Sequence, residues 1–473
     1  MRAFITKAIR IGSNAAQIAL MARLRTRSRS RDGFGPAYQN PYLRRPARVK
    51  LACGGRKYSA FIVRHAVMIV SIDDARKSPT MLLLNSHPDH AARLQRVDAE
   101  TLSVERAQEV ERFLKHRKGN SETPLVSLPG LARNLGLGAI HLKDEGLRLG
   151  LGSFKALGGS YAVIRLVLEE ASAQFGRDVD VSELETPEVK AIAERMTVSC
   201  ATDGNHGRSV AQGAQLVGAR CVIFVHSGVS KERIDAIAKL GADIIRVDGS
   251  YDDSVGEAAR VAREHGWITV SDTSWPGYER IPGLVMQGYT ALLREALRQL
   301  PEPPTHVFVQ AGVGGIAAAV AGHFSVLFGE ERPFFIVVDP SRAACLFESA
   351  RAGHPVKVKH GEATVMAMLE CYEPSLVAWR ILSRTADAFM TVEDDDAVSV
   401  MKLLADPVNG DPAVIAGESG GVGLAALIKV TRDKALREEI GLVRMPASSL
   451  SIRKARPIQS SIARLWDGHR RKC

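Results

Sequence analysis

From about residue 220 to 330 the chain repeats one pattern: a short apolar, β-branched run, a turn carrying Gly or Asp, then an Ala-rich stretch at helical spacing. Cys221 to His226 is followed by Lys231 to Leu240, Asp243 to Val247 by Ser254 to His265, and His306 to Gln310 by Ile316 to Phe324. Apolar runs without alternation suit strands buried on both faces, and a helix after each strand supplies the cover. The pattern therefore predicts βα units building mostly parallel sheets, an α/β fold. With 473 residues, 45% of them hydrophobic, there is material for one large or two ordinary domains. Upstream, Leu102 to Lys118 has helical spacing, and ProLeuValSerLeuPro (124 to 129) reads as a loop. No internal repeat is visible.

The net charge of +11 raises the question of nucleic acid, but the charge sits at the ends. Residues 1 to 80 carry 17 Lys and Arg against three acidic residues, a balance of +14, and residues 444 to 473 carry eight against Asp467 alone, +7. The body between them is at −10. Such a body does not resemble a nucleic-acid-binding face. No window approaches the roughly 18 apolar residues of a membrane span, since even Phe61 to Ile72 contains Arg64 and His65. Six cysteines lie far apart with no CxxC pair, which suggests neither a zinc knuckle nor a disulfide framework and makes a reducing cytoplasm the expected setting. The first 80 residues show no sustained helical or strand period. They read as an appended segment, either an over-extended start ahead of Met81 or an Arg-rich targeting peptide.

Three loops carry chemistry. GlyLeuGlySerPheLysAlaLeuGlyGlySerTyr (150 to 161) sets Lys155 between a Gly-rich turn and an Ala/Gly/Leu helix. A lysine desolvated there loses basicity and can hold an aldehyde as a Schiff base; alternatively its amine reaches water from a helix start. AlaGlyValGlyGlyIleAla (311 to 317) follows a strand and opens a helix, so its N–H groups suit a single phosphate, although a tight turn alone explains many such loops. It lacks the third Gly of the dinucleotide fingerprint. AlaThrAspGlyAsnHisGlyArgSerValAla (201 to 211) clusters polar groups suited to hydrogen bonding a ring oxygen and a substrate carboxylate. A metal is not expected, because His206 has no His or Cys at ligand spacing.

Together, SerPheLys (153 to 155), AspGlyAsnHisGly (203 to 207), GlyValGlyGly (312 to 315) and GlyGluSerGly (417 to 420) resemble the fold-type II pyridoxal-phosphate enzymes, the group of tryptophan synthase β and threonine dehydratase. Longer strings, including LysAspGluGlyLeuArgLeuGlyLeuGlySerPheLys, AspThrSerTrp from Asp272 and AlaGlyGluSerGlyGlyValGlyLeuAla, look like the diaminopropionate ammonia-lyase family from about Met81 to Gly441. The resemblance implies two domains, each with a mostly parallel sheet, the smaller within about 160 to 275. It implies pyridoxal 5'-phosphate held by Lys155, with Phe154 beside it, Asn205 on the ring hydroxyl oxygen, and Gly312, Val313, Gly314 and Gly315 around the phosphate. Asp203 would assist proton removal, Asp272 would help bind substrate, and Glu418 and Ser419 would lie near the ring. On their residues alone, Asp203 and Asp272 also fit as cap or turn residues. The implied reaction converts 2,3-diaminopropionate to pyruvate and ammonia in a homodimer, without nucleic-acid or membrane partners. The alternatives are a serine/threonine dehydratase-like eliminase or a non-catalytic pseudoenzyme.

Three departures bear on that expectation. MetAlaMetLeuGluCysTyrGlu (366 to 373) puts Met368, Glu370 and Tyr372 where the family has smaller residues, which would narrow or recharge a pocket. Asp339 stands where Glu is usual, a minor change. The tail from 444 to 473 is basic and lacks the family's ThrGluGlyAlaThrAsp-like segment, whose hydroxyl meets the pyridine nitrogen. Ser448 to Asp467 read in a shifted frame, with two bases of each new codon nearly fixed by the printed residues, permit a string containing that segment. A frameshift near Gly441 is the expected cause. A chain carrying the reframed end should release pyruvate and ammonia much faster than the printed chain, and equal turnover would refute the frameshift. Deleting residues 1 to 80 should leave solubility and cofactor binding unchanged, as read by expression yield and visible absorbance.

Overall fold

The computed structural model describes residues 48–53, 56–63, 66–71 and 82–442, apart from 203, 250, 408 and 409. The expected frameshifted tail, most of the appended N-terminal segment and Asp203 lie outside the described residues. The chain divides into two units, Met1–Ser78 and Pro79–Cys473. In the first, β1 (Arg48–Cys53), β2 (Arg56–Val63) and β3 (Ala66–Ser71) pair antiparallel in chain order. The expectation of no strand period there is corrected. Cys53 pairs with Arg56, and the sequence between them is Gly-Gly, a hairpin dipeptide that the basic composition obscured.

In the second unit, β4 (Leu82–Leu84) precedes a helix, Val104–His116, started by Ser103, whose hydroxyl accepts from the Arg106 N–H. The segment read as a loop at 124 to 129 instead contains β5 (Leu125–Ser127), paired antiparallel with β6 (His141–Lys143). Three residues are too few to show a period, and the partner supplies the order. A parallel sheet follows, with β7 (Thr197–Ala201), β8 (Arg220–His226), β9 (Asp243–Val247) and β10 (Ile268–Thr269) in the order β10-β7-β8-β9. The other sheet runs β11 (His306–Gln310), β12 (Phe334–Pro340), β13 (Ala388–Val392), β4, parallel except for its β4 edge. All of β13 and the five central residues of β8 are buried, as the unalternated apolar runs require. Among the described residues no helix is long and apolar enough to cross a membrane.

The site is positioned by three helices, Lys155–Phe175, Asn205–Val217 and Arg280–Gln299, that meet almost backbone to backbone. A Cβ on Gly288 would lie 2.6 Å from the Leu157 carbonyl oxygen, and one on Gly213 would lie 2.7 Å from Ser160 Cα. Neither position accepts a side chain without separating the helices. Ser209 Oγ also accepts from the Ser160 N–H at 2.9 Å, tying two helices through a buried hydroxyl.

Strand β12 carries the fully buried Asp339, whose Oδ2 accepts from the Leu346 and Phe347 N–H groups at 3.0 and 2.9 Å. Its Oδ1 has no hydrogen-bond partner among the described residues, and burial outweighs the two donors and pushes the carboxyl up to about 8. The residue that looked like a minor change is thus a buried titrating group. An unfolded Asp ionises near ~4, so its contribution to folding is complete below that pH and is lost as pH rises through about 8. Urea unfolding between pH 5 and pH 9 should therefore show a steeper loss of stability in the wild type than in Asp339→Asn, which keeps an oxygen acceptor but cannot ionise. Parallel curves would show that this carboxyl does not titrate in that range.

Candidate active site

Lys155 opens its helix after a turn of unusual backbone: Leu149, Gly150 and Gly152 have φ of 48°, 71° and 74°. The glycines serve the left-handed backbone that β-substituted residues resist. The turn's carbonyls are caught by the Asn205 helix, with Arg208 Nη1 donating to Leu151 O at 2.9 Å and Gln212 Nε2 to Leu149 O at 3.1 Å. Arg148, fully buried, donates to both Glu145 and Glu295 and so ties the turn to the Arg280–Gln299 helix. Phe154 packs edge-on against Tyr289 with ring centroids 5.1 Å apart.

Lys155 Nζ donates to Asp272 Oδ2 at 2.6 Å, with the lysine side chain a quarter exposed. Burial pulls the lysine's pKa down, but the Asp272 carboxylate outweighs it and holds the amine above its ordinary value. The expected loss of basicity is corrected accordingly: the protein presents Lys155 as an ammonium, and the carboxylate 117 residues away is the reason. Burial likewise works against the Asp272 charge, yet His206 and Lys155 beside it keep its carboxyl well below the usual carboxylate range. His206 Nε2 faces the Val270 carbonyl oxygen at 2.9 Å and must carry a proton there. Its Nδ1 makes no hydrogen bond to a described residue and stands 3.8 Å from Asp272 Oδ2. The Asp272 side chain is thus directed at Lys155 and His206 from a bend in the backbone.

The loop Gly312, Val313, Gly314, Gly315 joins β11 to the Gly315–Phe328 helix, which has no side-chain cap. Gly314 has φ 100°, and a Cβ there would lie 3.1 Å from Ala378 Cβ, so the position demands glycine on both counts. A Cβ on Gly315 would lie 3.6 Å from the Asp272 carbonyl oxygen, which sets the Lys155 pair beside this loop. Asn205 starts its own helix half-buried and its side chain makes no hydrogen bond to a described residue. Glu418 and Ser419 precede the Val422–Arg432 helix, which packs so closely on β11 that a Cβ on Gly423 would lie 2.7 Å from Phe308 O. Ser419 Oγ is buried with no hydrogen-bond partner among the described residues. Among the described residues no hydrogen bond or ion pair joins Glu418 or Ser419 to Lys155.

Sequence reasoning passed over His206 as part of the site and missed a buried serine pair. Ser274 Oγ and Ser375 Oγ lie 2.7 Å apart, Ser274 Oγ accepts from Val377 N–H, and Ser375 N–H donates to Val313 O. This bridge fastens the Asp272 segment to the glycine loop. Ser274 stood in the AspThrSerTrp string, but nothing in the sequence marks its partner 101 residues later.

A phosphorylated aldehyde fits this set of groups. The uncapped helix start and side-chain-free loop suit a phosphate, Lys155 Nζ suits an aldehyde, and the unpartnered Ser419 hydroxyl and Asn205 amide are polar groups left for a ligand. Residues 117–443 match the pyridoxal-phosphate dependent enzyme family. Diaminopropionate ammonia-lyase of Escherichia coli (strain K12) is 42% identical over 321 residues, covering 67% of this chain and 79% of the relative. The enzyme of the same name from Salmonella typhimurium (strain LT2) is 39% identical over 348 residues, covering 72% and 86%. The crystal structure of the Escherichia coli enzyme in complex with an aminoacrylate-PLP azomethine reaction intermediate matches with a TM-score of 0.68 at 36% identity, covering 76% of this chain and 90% of that one. By sequence and by fold, the chain belongs to the diaminopropionate ammonia-lyase family of pyridoxal-phosphate-dependent enzymes.

Proposed function

We propose that this chain eliminates ammonia from 2,3-diaminopropionate to give pyruvate and ammonia, using pyridoxal 5'-phosphate held by Lys155. The observation that carries the reading is the Lys155–Asp272–His206 line lying beside an uncapped, glycine-built phosphate loop. When bound, the cofactor supplies an electron sink for the pair left by Cα–H cleavage. The protein's share is positioning and proton traffic. Gly312 to Gly315 N–H groups would hold the phosphate, Asn205 would hydrogen-bond the ring hydroxyl oxygen, Phe154 keeps the Lys155 turn packed, and Glu418 and Ser419 would lie near the ring. Lys155 Nζ is the base on one face of the substrate. Asp203, outside the described residues, is the proposed base on the other, which would admit both enantiomers.

Asp272 has two duties in this reading. While Lys155 is uncommitted, the carboxylate holds its proton; once the lysine is engaged, the same carboxylate is left to accept from a cationic substrate amine. His206, its Nε2 proton directed at Val270 O, stands beside Asp272 and, with Lys155, holds that carboxyl below the usual carboxylate range. We further propose a homodimer working in the cytoplasm on this small substrate, with no nucleic-acid or membrane partner; the −10 balance of residues 81 to 443 supports the last point.

Borohydride treatment of the yellow holoprotein should fix the cofactor on the peptide containing Lys155, and a colourless protein that stays colourless with added pyridoxal phosphate would remove the reading. Because only a neutral amine attacks an aldehyde, Asp272→Asn should shift the pH profile of cofactor capture by the apoprotein to lower pH, as followed by visible absorbance. Pyruvate and ammonia should appear from both D- and L-diaminopropionate, with Asp203→Asn affecting the two unequally. Turnover of serine or threonine alone would transfer the assignment to a dehydratase-like eliminase.

A further inference from the structure

The family departure at Met366 to Glu373 admits two outcomes for the pocket, a change of charge or a change of size, and the packing of the segment separates them. Val358 N–H donates to Tyr372 O at 2.8 Å, pinning the segment's far end. Glu370 Oε1 accepts from the Tyr372 hydroxyl at 2.5 Å, and Oε2 accepts from Thr364 N–H at 3.3 Å. The Tyr372 ring lies on His360 with centroids 3.8 Å apart and planes at 31°. Burial and the Glu370 carboxylate push the Tyr372 phenol up to about 12, so it remains a donor at ordinary pH. Both Glu370 oxygens are therefore occupied by residues of the same local fold.

Met368 lies at the other end of this segment and meets the loop ahead of Asn205. A Cβ on Gly204 would lie 3.7 Å from Met368 Sδ, and Gly204 immediately precedes Asn205 and His206. The residues after it reach the glycine loop, where a Cβ on Gly312 would lie 2.9 Å from Cys371 Sγ and 3.3 Å from Leu369 Cα. The segment thus spans from the Asn205 turn to the phosphate loop, carrying an unbranched, polarizable side chain at its Asn205 end.

We infer that Met368 is the specificity-determining residue of the cleft: its thioether occupies space beside the Gly204–Asn205 turn and limits the size of the side chain an α-amino-acid substrate can carry. Glu370 and Tyr372 brace the segment, the Glu370 oxygens being directed at Tyr372 and Thr364. The inference rests on the reading of the cleft as the site of an amino-acid lyase, and it deepens that reading by naming what selects a short substrate.

The test titrates the visible band of the holoenzyme with amino acids that have no β-leaving group and increase in size: alanine, 2-aminobutyrate and norvaline. In the wild type, affinity should fall steeply along the series. Met368→Ala should improve norvaline relative to alanine by about tenfold or more, the discrimination one or two methylenes command in an apolar pocket. Met368→Leu, which conserves volume, and Glu370→Gln should keep the wild-type slope. If Met368→Ala fails to retain cofactor, Met368→Val carries the same series with a smaller expected change. A series parallel to the wild type in the truncated variant, or an equal shift in Glu370→Gln, overturns the inference. Pyruvate release from diaminopropionate by the wild type is scored separately: its absence beside a flattened Met368→Ala series would retire the proposed reaction and keep the pocket assignment.

Discussion

The close approach of three helices is the constraint on which the site depends. Leu157, Gly158 and Ser160 of the Lys155 helix meet Gly288 and Gly213 at distances that exclude even a methyl group. With the helices at that separation, three otherwise independent features occupy fixed places: Lys155 at the start of the first helix, Asn205 and His206 at the start of the second, and Asp272 on the segment leading to the third. Close packing transmits position efficiently because it leaves few soft contacts to absorb a shift.

Two further ties complete the frame. Arg208 and Gln212 hold the carbonyls of the Leu149–Leu151 turn, so the Asn205 helix and the Lys155 turn are tied together. Ser274 and Ser375 bind the Asp272 segment to Val313, so the Asp272 segment and the glycine loop are likewise joined. Polar bridges of this kind specify geometry more than they add stability, since the net worth of a hydrogen bond is only about 1 kcal/mol. Electrostatics then follow from position: a lysine that burial would neutralise remains charged because a carboxylate was brought to 2.6 Å.

Much of the fold was legible in the chain. The strands expected at Asp243 to Val247 and His306 to Gln310 are found with those bounds, and the helices after them start within a few residues of where the Ala-rich spacing begins. Uninterrupted apolar runs bounded by turn residues are a local signal, and strands buried on both faces express it without interference. The short pair Leu125–Ser127 and His141–Lys143 was not legible, because each strand is ordered by the other rather than by its own residues. The strands at 48–71 were hidden for a different reason: the Lys and Arg content dominated the reading, while the hairpin dipeptide Gly54-Gly55 carried the signal.

By itself the sequence determined the chemical inventory: a lysine after a Gly-rich turn, a glycine loop between strand and helix, an Asn-His loop, and an acidic residue in AspThrSerTrp. These are properties of a residue and its immediate neighbours, which the order of the chain contains. Only the tertiary structure decided that Lys155 is protonated, that His206 faces Asp272, that Ser375 completes the bridge to the glycine loop, and that Met368 rather than Glu370 reaches the Asn205 turn. Each of those is a through-space relation between groups tens to more than a hundred residues apart. Proton affinity and pocket size are set by what stands within a few ångströms, and that distance is created by folding.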